Sequence, residues 1–373
     1  MVIHLVCAAR PNFMKIAPLY HALGKEEWAE PVIVHTGQHY NPNMSDAFFA
    51  DLGLPSPHIN LGVGSGTHAE QTGRVMISYE KVLNEARPDL VVVVGDVNST
   101  MAATITAAKL GIRVAHLEAG LRSFDRTMPE EINRLVTDAL ADMLWTPSRD
   151  ADENLVREGV SRDKIRLVGN IMIDSLEMLR DRIESLETYR NFGLEAGGYG
   201  VVTLHRPSNV DDPAVLERIC GVLGEIAQMV PLVFPIHPRT RKNMEASGLL
   251  SILESTGRLF LPDPLGYVSF MNLVCNSQLV ITDSGGIQEE TSYLGIPCLT
   301  LRKNTERPVT VTQGTNQLCE LDQVKQKTGE ILGGGAPARN PIELWDGKTA
   351  GRIVDILKDL NKFDSQNQKG LRL

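Results

Sequence analysis

The stretch Leu279-Val-Ile-Thr-Asp-Ser-Gly-Gly-Ile-Gln-Glu-Glu290 carries the clearest fold signal in the chain. Its first four residues are apolar or β-branched and predict a buried strand. Ser284-Gly285-Gly286 predicts a tight turn, and residues 287–294 have the spacing of a helix that ends at Gly295. A strand, a small-residue turn and a helix N-terminus present backbone N–H groups at the positive end of a helix dipole. The stretch therefore predicts a βα unit that binds an anion such as phosphate.

An ordinary βα turn, with its glycines present only for packing, would have the same short sequence. Glu289 and Glu290 lie one turn further into the helix. A carboxylate there can accept hydrogen bonds from sugar hydroxyls but would repel a phosphate. The motif alone leaves both interpretations open, and the rest of the chain has to decide between them.

Length and composition exclude several classes of protein. With 373 residues the chain is long enough for two domains, since single cores rarely grow beyond about 250–300 residues. A net charge of −9 argues against a nucleic-acid binder, which would carry a basic surface. The five cysteines are scattered without a Cys-x-x-Cys pair, so neither structural zinc nor a disulfide framework is expected. No apolar run approaches the roughly 20 residues of a membrane span, and residues 1–8 predict a strand instead of a signal peptide. We therefore expect a cytoplasmic protein with reduced thiols and no membrane segment.

Strands and helices alternate along the chain in two series. The first series runs from a strand at residues 2–8 to a strand at residues 164–168, and the second begins with a strand at residues 200–204. A long helix is predicted between them, over residues 173–189. The alternation predicts an α/β protein with two Rossmann-like, doubly wound domains that face each other across a cleft. The predicted domains are residues 1–170 plus 358–373 and residues 171–357.

Polar side chains cluster where the predicted strands end. In an open α/β sheet the carboxyl ends of the strands form the ligand crevice, so we expect these side chains to meet one ligand. The first series supplies carboxylates, whereas the second supplies histidines, an arginine and the anion-binding turn. This asymmetry predicts a ligand whose diphosphate binds to the second domain while its reacting carbons face the first. The clustered residues are Arg10, Lys15, Asp96, Glu118, His205, His237 and the segment 283–290.

Several of the carboxylates also have a structural interpretation. Asp96 stands where an aspartate caps the N-terminus of a helix. Glu118 ends an apolar strand, where an unpaired carboxylate is costly, so it has either a function or a salt bridge to Arg122. Glu131 opens a helix, where acidic residues stabilise the dipole, and we expect only this structural role and a contact with Arg134.

Familiar catalytic patterns are missing from the sequence. It has no G-x-x-x-x-G-K-[ST] loop, early G-x-G-x-x-G fingerprint, H-E-x-x-H or G-x-S-x-G. ATPases, simple NAD dehydrogenases, zincins and serine hydrolases are therefore disfavoured. His116 points to the other side of its strand from Leu117, and we expect a structural role for it.

A set of short motifs follows in order between Arg10 and about Gly314. They are Arg10-Pro11 with Lys15, Thr36-Gly-Gln-His39, Gly95-Asp96, His116-Leu-Glu-Ala-Gly-Leu-Arg122, Pro129-Glu-Glu-Ile-Asn-Arg134, Thr203-Leu-His-Arg206, Thr282-Asp-Ser-Gly-Gly-Ile-Gln-Glu-Glu290 and Glu306-Arg-Pro308. In this order they resemble the motifs of the non-hydrolysing UDP-N-acetylglucosamine 2-epimerases. The family has a glycosyltransferase-B-like fold, which agrees with the two βα series.

The resemblance implies a reversible reaction at C2 that converts UDP-N-acetylglucosamine (UDP-GlcNAc) to UDP-N-acetylmannosamine (UDP-ManNAc). In the family, UDP is eliminated across C1–C2 to give 2-acetamidoglucal and is then re-added after protonation of the other face. This chemistry needs a base for the C2 proton, an acid for the opposite face and stabilisation of the departing diphosphate. No metal, redox cofactor or covalent nucleophile is implied.

The resemblance also assigns roles to residues. The acid–base positions fall on Asp96, Glu118 and Glu130, with the family's histidine at His205, and the identity of the base stays open among the carboxylates. Ser284, Gly285 and Gly286 match diphosphate-binding positions, and Glu290 matches the ribose-binding one. The remaining substrate-binding positions are Arg10, Lys15, Arg206, His237 and Arg307.

The chain departs from the family pattern in its first two motifs. Asn12 stands where a glutamate is common. Some bacterial members are activated by a second UDP-GlcNAc, and Gln38, His39 and Gln71 match residues of that allosteric site. Glu70, however, stands where those enzymes carry an arginine. An anion beside a diphosphate should repel it, so we expect activation of this type to be weakened or lost.

Two related activities compete with this assignment. The first is the same chemistry on UDP-2,3-diacetamido-2,3-dideoxy-glucuronate, which would need a cation for the C6 carboxylate and space at C3. The second is a hydrolysing epimerase that releases free ManNAc; a glycosyltransferase or a nucleotide-sugar sensor is a more distant alternative. The family resemblance further implies a homodimer that supplies surface-polysaccharide synthesis.

Overall fold

The structure is a computed structural model that describes residues 1–37, 49, 51–335 and 340–370. The chain divides into two compact units, residues 1–178 with 343–373 and residues 179–342. The functional roles that we assign to the two domains stay predictions. No helix in the described ranges combines the length and the apolar character that crossing a membrane requires.

The first unit is built on a parallel sheet with the strand order β3-β2-β1-β4-β5-β6-β7. Its strands are rich in Val, Ile and Leu because both faces are covered by helices. The strands are β1 Val2–Cys7, β2 Glu30–His35, β3 Ile59–Asn60, β4 Leu90–Val94, β5 Arg113–Leu117, β6 Met143–Thr146 and β7 Ile165–Leu167. The helices are α1 Arg10–Leu23, α2 His68–Glu85, α3 Asn98–Lys109, α4 Pro129–Leu140, α5 Arg149–Arg157 and α6 Ile171–Met178.

The second unit is also built on a parallel sheet, with the strand order β10-β9-β8-β11-β12-β13. The strands are β8 Gly200–Thr203, β9 Leu232–Val233, β10 Leu259–Phe260, β11 Leu279–Thr282, β12 Cys298–Thr300 and β13 Asn316–Leu318. The helices are α7 Arg180–Glu184, α8 Pro207–Val210, α9 Pro213–Met229, α10 Pro238–Ala246, α11 Leu249–Glu254, α12 Tyr267–Cys275, α13 Gly285–Leu294, α14 Val309–Thr312 and α15 Leu321–Leu332. The last helix, α16 Thr349–Gly370, packs on α1 and α6 of the first unit.

The strand order of both sheets confirms the predicted class, two doubly wound α/β domains. In such a sheet the order reverses once, between β1 and β4 in the first unit and between β8 and β11 in the second. Ligands bind outside the carboxyl ends of the strands at this switch point. The loops that follow β1, β4, β8 and β11 are therefore the places to look for a site.

The predicted long helix over residues 173–189 is wrong. The chain instead forms α6 and α7, separated at Leu179, and then a short 3₁₀ helix at Thr188–Phe192. The break falls where the chain passes from the first unit to the second. Helix α7 packs on α12, so the tertiary contacts of the second unit override a continuous helical pattern.

Candidate active site

At the switch point of the first sheet, Asn12 ties two loops together. Its side-chain oxygen accepts hydrogen bonds from the backbone N–H groups of Ala8 and Ala9 at 3.2 and 3.0 Å. Its side-chain nitrogen donates to the carbonyl oxygen of Val94 at 3.3 Å. The neutral amide, which donates and accepts at once, therefore fixes the start of α1 against the end of β4. Arg10 is the first residue of that helix.

Glu118 lies beside this loop and is paired with Lys15. The Lys15 ammonium donates to the Glu118 carboxylate, and both side chains are buried. They pack against Gly95: a Cβ on that glycine would lie 3.3 Å from the Lys15 nitrogen and 3.6 Å from the carboxylate. The structural alternative, a salt bridge from Glu118 to Arg122, is wrong because Arg122 pairs with Asp138.

Asp96 follows Gly95 and is held by Arg134. The Nε and Nη2 atoms of Arg134 donate to one Asp96 carboxylate oxygen at 3.0 and 2.7 Å. Its Nη1 atom donates to Glu131 at 2.6 Å, which confirms the expected contact between these two residues. Helix α3 has Val97 as its N-cap residue, without a side-chain cap, so the interpretation of Asp96 as a helix cap is wrong.

Glu130, the third candidate carboxylate, lies in the first turn of α4 and is exposed. Among the described residues, no hydrogen bond or ion pair joins it to Asp96 or Glu118. The structure thus brings Lys15, Glu118 and Asp96 together around Gly95 and leaves Glu130 outside this group.

A buried charged network lies behind Asp96 and Glu118. The two ring nitrogens of His116 contact the Asp138 carboxylate at 2.6 Å and the Gly95 carbonyl oxygen at 2.9 Å. Arg122 binds the other carboxylate oxygen of Asp138 at 2.7 Å. Burial alone would raise the pKa of Asp138, but attraction to His116 and Arg122 holds it below its usual value. The network supports the wall of the site, in agreement with the structural role expected for His116.

Gln71, a candidate allosteric residue, is buried in α2 and accepts a hydrogen bond from Asn98 at 2.8 Å. The carboxylate of Glu70 accepts from the backbone N–H of Thr67 at 3.0 Å and completes a capping box at the start of α2. Gln38 and His39 lie outside the described residues. The loss of allosteric activation stays a prediction.

In the second unit, residues 279–294 form the strand, turn and helix that their sequence predicts. Ser284 is the N-cap of α13, and Gly285 and Gly286 are its first residues. The Ser284 N–H donates to the Thr282 hydroxyl at 2.9 Å, which turns the chain sharply at the end of β11. The first N–H groups of a helix have no partner within it, so this turn aims backbone donors away from the sheet. The helix ends at Gly295 in the left-handed conformation (φ 79°), as predicted.

Asp283 joins this turn to the loop after β8. Its carboxylate accepts from the backbone N–H of Arg206 at 2.9 Å and from Asn209 at 3.0 Å, and lies 2.9 Å from the Nδ1 atom of His205. Burial would raise the pKa of Asp283, but these donors, led by His205, hold it below its usual value. The Arg206 Nε atom donates to the Asp283 carbonyl oxygen at 3.0 Å. His205 and Arg206 are therefore fixed beside the N-terminus of α13.

Arginines and buried glutamates surround the same helix N-terminus. Arg307 contacts Glu289 at 2.6 Å and Glu306 at 3.7 Å. Glu306 is also bound by Arg302 at 2.7 and 2.9 Å and lies 3.8 Å from Arg206. The buried carboxylates thus fix the positions of guanidinium groups that carry positive charge toward the turn. The sequence did not indicate that Glu289 and Glu306 pair with arginines, and Arg302 was not among the predicted site residues.

His237 is the N-cap of α10, and its Nδ1 atom accepts from the backbone N–H of Arg239 at 3.3 Å. Its ring centroid lies 6.5 Å from that of His205. Partial burial, and then repulsion from His205 and Arg239, lowers the pKa of His237. The structure therefore places both histidines and the α13 turn at the same edge of the second sheet.

Glu290 lies deeper in α13 and has a partner that the sequence did not indicate. The hydroxyl of Tyr267, the first residue of α12, donates to the Glu290 carboxylate at 2.7 Å. Burial raises the pKa of Glu290 to about 7, with a smaller contribution from Glu289, while the Tyr267 hydrogen bond opposes the shift. Tyr267 and Glu290 are separated by a strand and a turn, so their contact depends on the tertiary fold.

Comparison with known proteins identifies the family. The family model described as UDP-N-acetylglucosamine 2-epimerase matches residues 21–358. The chain belongs to the UDP-N-acetylglucosamine 2-epimerase family. This confirms the resemblance drawn from the motifs, and the strand-end residues of both units are positions within an epimerase fold.

Similar epimerases cover at least 90% of the chain. The UDP-N-acetylglucosamine 2-epimerase of Methanocaldococcus jannaschii is 43% identical over 366 residues, which cover 96% of this chain and 99% of that protein. A crystal structure of that epimerase in complex with UDP-GlcNAc and UDP superposes with a TM-score of 0.86 over 96% of this chain and 99% of its own. The UDP-2,3-diacetamido-2,3-dideoxy-D-glucuronate 2-epimerase of Pseudomonas aeruginosa is 40% identical over 352 residues, or 90% of this chain and 96% of that protein.

The fold extends beyond the epimerases. A lipopolysaccharide outer core galactosyltransferase is similar at 14% identity with a TM-score of 0.52, over 99% of this chain and 100% of its own. At this identity the likeness concerns the fold alone, and it agrees with the predicted glycosyltransferase-B-like class.

Proposed function

We propose that this family member catalyses the reversible epimerisation of UDP-GlcNAc at C2 without hydrolysis. The proposal rests on the different side chains that lie at the switch points of the two sheets. In the second unit, guanidinium and imidazole groups surround a helix N-terminus, which suits a diphosphate. In the first unit, Glu118 and Asp96 are each held by a cation, which suits proton transfer at a fixed position.

The proposed nucleotide site is the N-terminus of α13. The diphosphate accepts from the N–H groups of Gly285 and Gly286 and from the Ser284 hydroxyl, while Arg206, His205, His237 and Arg307 supply positive charge or hydrogen bonds. When the C1–O bond breaks, its electron pair leaves with UDP, and the same groups stabilise the added charge. A Ser284→Ala, Gly286→Val double variant should therefore bind UDP much more weakly.

The proposed proton chemistry uses Asp96, Glu118 and Glu130, with Lys15 and Arg10 as substrate contacts. A base removes the C2 proton, and the electrons of the C2–H bond form the C1=C2 double bond of 2-acetamidoglucal. An acid then delivers a proton to the opposite face of C2 as a UDP oxygen returns to C1. Two carboxyl groups on opposite faces of the sugar meet this requirement, and retention of UDP prevents hydrolysis.

The decisive experiment is incubation of UDP-GlcNAc with the protein in D₂O, followed by NMR at C2. Deuterium at C2 together with UDP-ManNAc supports the proposal. Free ManNAc would show a hydrolysing epimerase instead. Binding of the nucleotide sugar without exchange would contradict catalysis at C2 on this substrate.

A second candidate keeps the chemistry and changes the sugar. The observation in its favour is the 40% identity to the diacetamido-glucuronate epimerase of P. aeruginosa. The same D₂O experiment with UDP-2,3-diacetamido-2,3-dideoxy-glucuronate tests it. Exchange with this substrate and none with UDP-GlcNAc would reverse our order of preference.

On the family resemblance we also propose a cytoplasmic homodimer. Light scattering coupled to size-exclusion chromatography measures the mass in solution directly. A mass of 41.0 kDa, that of one chain, would contradict the dimer.

A further inference from the structure

Glu290 is a buried acceptor next to the proposed nucleotide site. It lies in the second turn of α13 and is only 2% exposed. Within the described residues, the hydrogen bond it receives comes from the Tyr267 hydroxyl at 2.7 Å. Because a buried carboxylate needs donors, the Tyr267 hydroxyl determines how this group is oriented and charged.

The other titratable groups near Glu290 do not take over that role. Glu289, its neighbour in α13, is engaged by Arg307 at 2.6 Å and adds negative charge. Cys275, at the far end of α12, has a pKa raised by burial to about 11, so its thiol is neutral at pH 7. Burial also raises the pKa of Tyr267 well above its usual value, so its hydroxyl remains a donor at neutral pH.

The protonation of Glu290 matters for any ligand hydroxyl. An ionised carboxylate accepts hydrogen bonds through both oxygens, whereas a protonated one becomes a donor at one of them. With a pKa of about 7, Glu290 changes between these forms across neutral pH. A ligand that donates two hydroxyls to it therefore binds best above pH 7.

We propose that Tyr267 is a positioning residue for nucleotide binding: its hydroxyl holds the Glu290 carboxylate as the acceptor of the ribose hydroxyls. The inference rests on the proposed function and on the ribose-binding position that the family resemblance assigns to Glu290. The inference adds to the proposed function a residue from α12 and a dependence of UDP affinity on pH.

The test is isothermal titration calorimetry of the full chain with UDP and with 2′,3′-dideoxy-UDP at pH 6, 7 and 8. Both ligands carry the same diphosphate. The ratio of their dissociation constants therefore cancels the titration of the diphosphate and of the groups that bind it. What remains is the contribution of the ribose hydroxyls, which is the part that Glu290 controls.

Three variants accompany the wild type. Tyr267→Phe removes the hydroxyl and keeps the ring. Tyr189→Phe is the matched control, since Tyr189 makes an exposed contact of 3.4 Å with Glu187 in the same unit. Glu290→Gln keeps the shape of the side chain and removes its titration.

In the wild type, the preference for UDP over the dideoxy ligand should grow by roughly fivefold or more from pH 6 to pH 8, because the ionised fraction of a group with a pKa of about 7 rises from about 10% to about 90%. In Tyr267→Phe the rise should move up by about one pH unit, since the hydrogen bond that is lost favours the ionised form of Glu290. Tyr189→Phe should follow the wild type, and Glu290→Gln should show no rise.

Different results would contradict the role of Tyr267 and the proposed function. A Tyr267→Phe profile equal to that of the wild type, or a flat wild-type profile, would overturn the role of Tyr267 while leaving the UDP site intact. A wild-type protein that binds neither ligand would overturn the proposed function and this inference together.

Discussion

Glu118 combines an unusual backbone conformation with a buried charge. Its φ angle is 76°, in the left-handed region that residues other than glycine rarely adopt, at a cost of order 1–3 kcal/mol. The strain is sustained because the N–H groups of Glu118 and Ala119 both donate to the Trp145 carbonyl at 3.1 Å, and because Lys15 binds the carboxylate. The conformation ends β5 abruptly and aims the side chain along the edge of the sheet. A strained residue that presents a carboxylate in this way is consistent with a catalytic role.

The replacement Glu118→Gln tests that role directly. The amide keeps the shape but cannot exchange a proton with C2, so we expect kcat to fall by about 100-fold or more. UDP affinity should change little, because the proposed nucleotide site belongs to the second unit. The measurement is the rate of UDP-ManNAc formation together with calorimetry of UDP.

Glu158→Gln is the matched control for this variant. Glu158 also receives a guanidinium, from Arg122 at 2.7 and 2.8 Å, but on the outer side of the network. Its replacement should leave kcat within about twofold, as is usual for surface substitutions. Undiminished deuterium exchange at C2 in Glu118→Gln would remove Glu118 from the acid–base candidates.

For Asp96 and Glu118 the sequence indicated the positions but not the cations that hold them. Asp96 and Glu118 were identified because they follow apolar strands, which is a local signal. Their cations, Arg134 and Lys15, lie on other elements, and the expected partner Arg122 is bound by Asp138 instead. The choice among nearby cations depends on side-chain directions that only the folded backbone fixes.

Among the elements of the site, the N-terminus of α13 depends on the lack of a side chain at Gly285. A Cβ on Gly285 would lie 2.9 Å from the Nη1 atom of Arg307. That contact is shorter than carbon and nitrogen tolerate, so Gly285 allows the guanidinium to lie over the first turn of the helix. The glycine thus contributes to the site by admitting a cation, in addition to exposing backbone N–H groups.

Gly285→Ala should therefore displace Arg307 and weaken UDP binding by about tenfold, since a charge-assisted hydrogen bond contributes about 1.5–3 kcal/mol. The control is Gly221→Ala on the exposed face of α9, where a Cβ meets no atom within 4 Å. It should leave UDP affinity unchanged and stabilise the protein by about 0.5–1 kcal/mol. Calorimetry of UDP measures the first effect. Equal affinity of Gly285→Ala and the wild type would show that Arg307 does not contact the nucleotide.

Strands and helices were predicted correctly where a single hydrophobic pattern dominates the segment. β4 and β11 are continuous apolar runs bounded by polar loops, and both are strands of nearly the predicted length. β13, Asn316–Leu318, was not predicted because two of its three residues are polar and it lies at the sheet edge. Its Asn316 side chain is used inside the unit instead, in hydrogen bonds to Gln288 and Thr310 at 3.0 and 3.1 Å.

At the scale of the whole molecule, the return of the chain to the first unit depends on one buried carboxylate. Asp174 in α6 accepts from the backbone N–H groups of Thr349 and Ala350 at 3.1 and 2.8 Å, and so caps the start of α16. Helix α16 thereby starts against α6 of the first unit. Its point of return was not predictable from local pattern, because the cap comes from a residue 175 positions away.

The acid stability of the first unit should depend on Asp138. Its pKa in the folded unit is held below the unfolded value of about 3.9, because His116 and Arg122 outweigh the effect of burial. A depressed carboxyl pKa stabilises the fold above the unfolded pKa, and this contribution is lost as the pH falls through the folded pKa. Asp138→Asn leaves Arg122 and His116 without their buried anion, so at pH 7 it should lower the free energy of unfolding by about 3–5 kcal/mol. Below about pH 4 the wild type begins to lose the part of this stabilisation that depends on the Asp138 charge, so the gap between the two proteins should start to narrow.

Tryptophan fluorescence isolates this effect, because Trp28, Trp145 and Trp345, the three tryptophans of the chain, all belong to the first unit. Urea unfolding followed by this signal at pH 7, 5 and 3.5 gives the stability of that unit apart from the second. Asp355→Asn, which replaces an exposed carboxylate on α16 of the same unit, is the control and should track the wild type at every pH. A gap between Asp138→Asn and the wild type that stays constant down to pH 3.5 would mean that the network stabilises the unit by shape and packing alone. A narrowing gap would show that the wall behind Asp96 and Glu118 is held by charge.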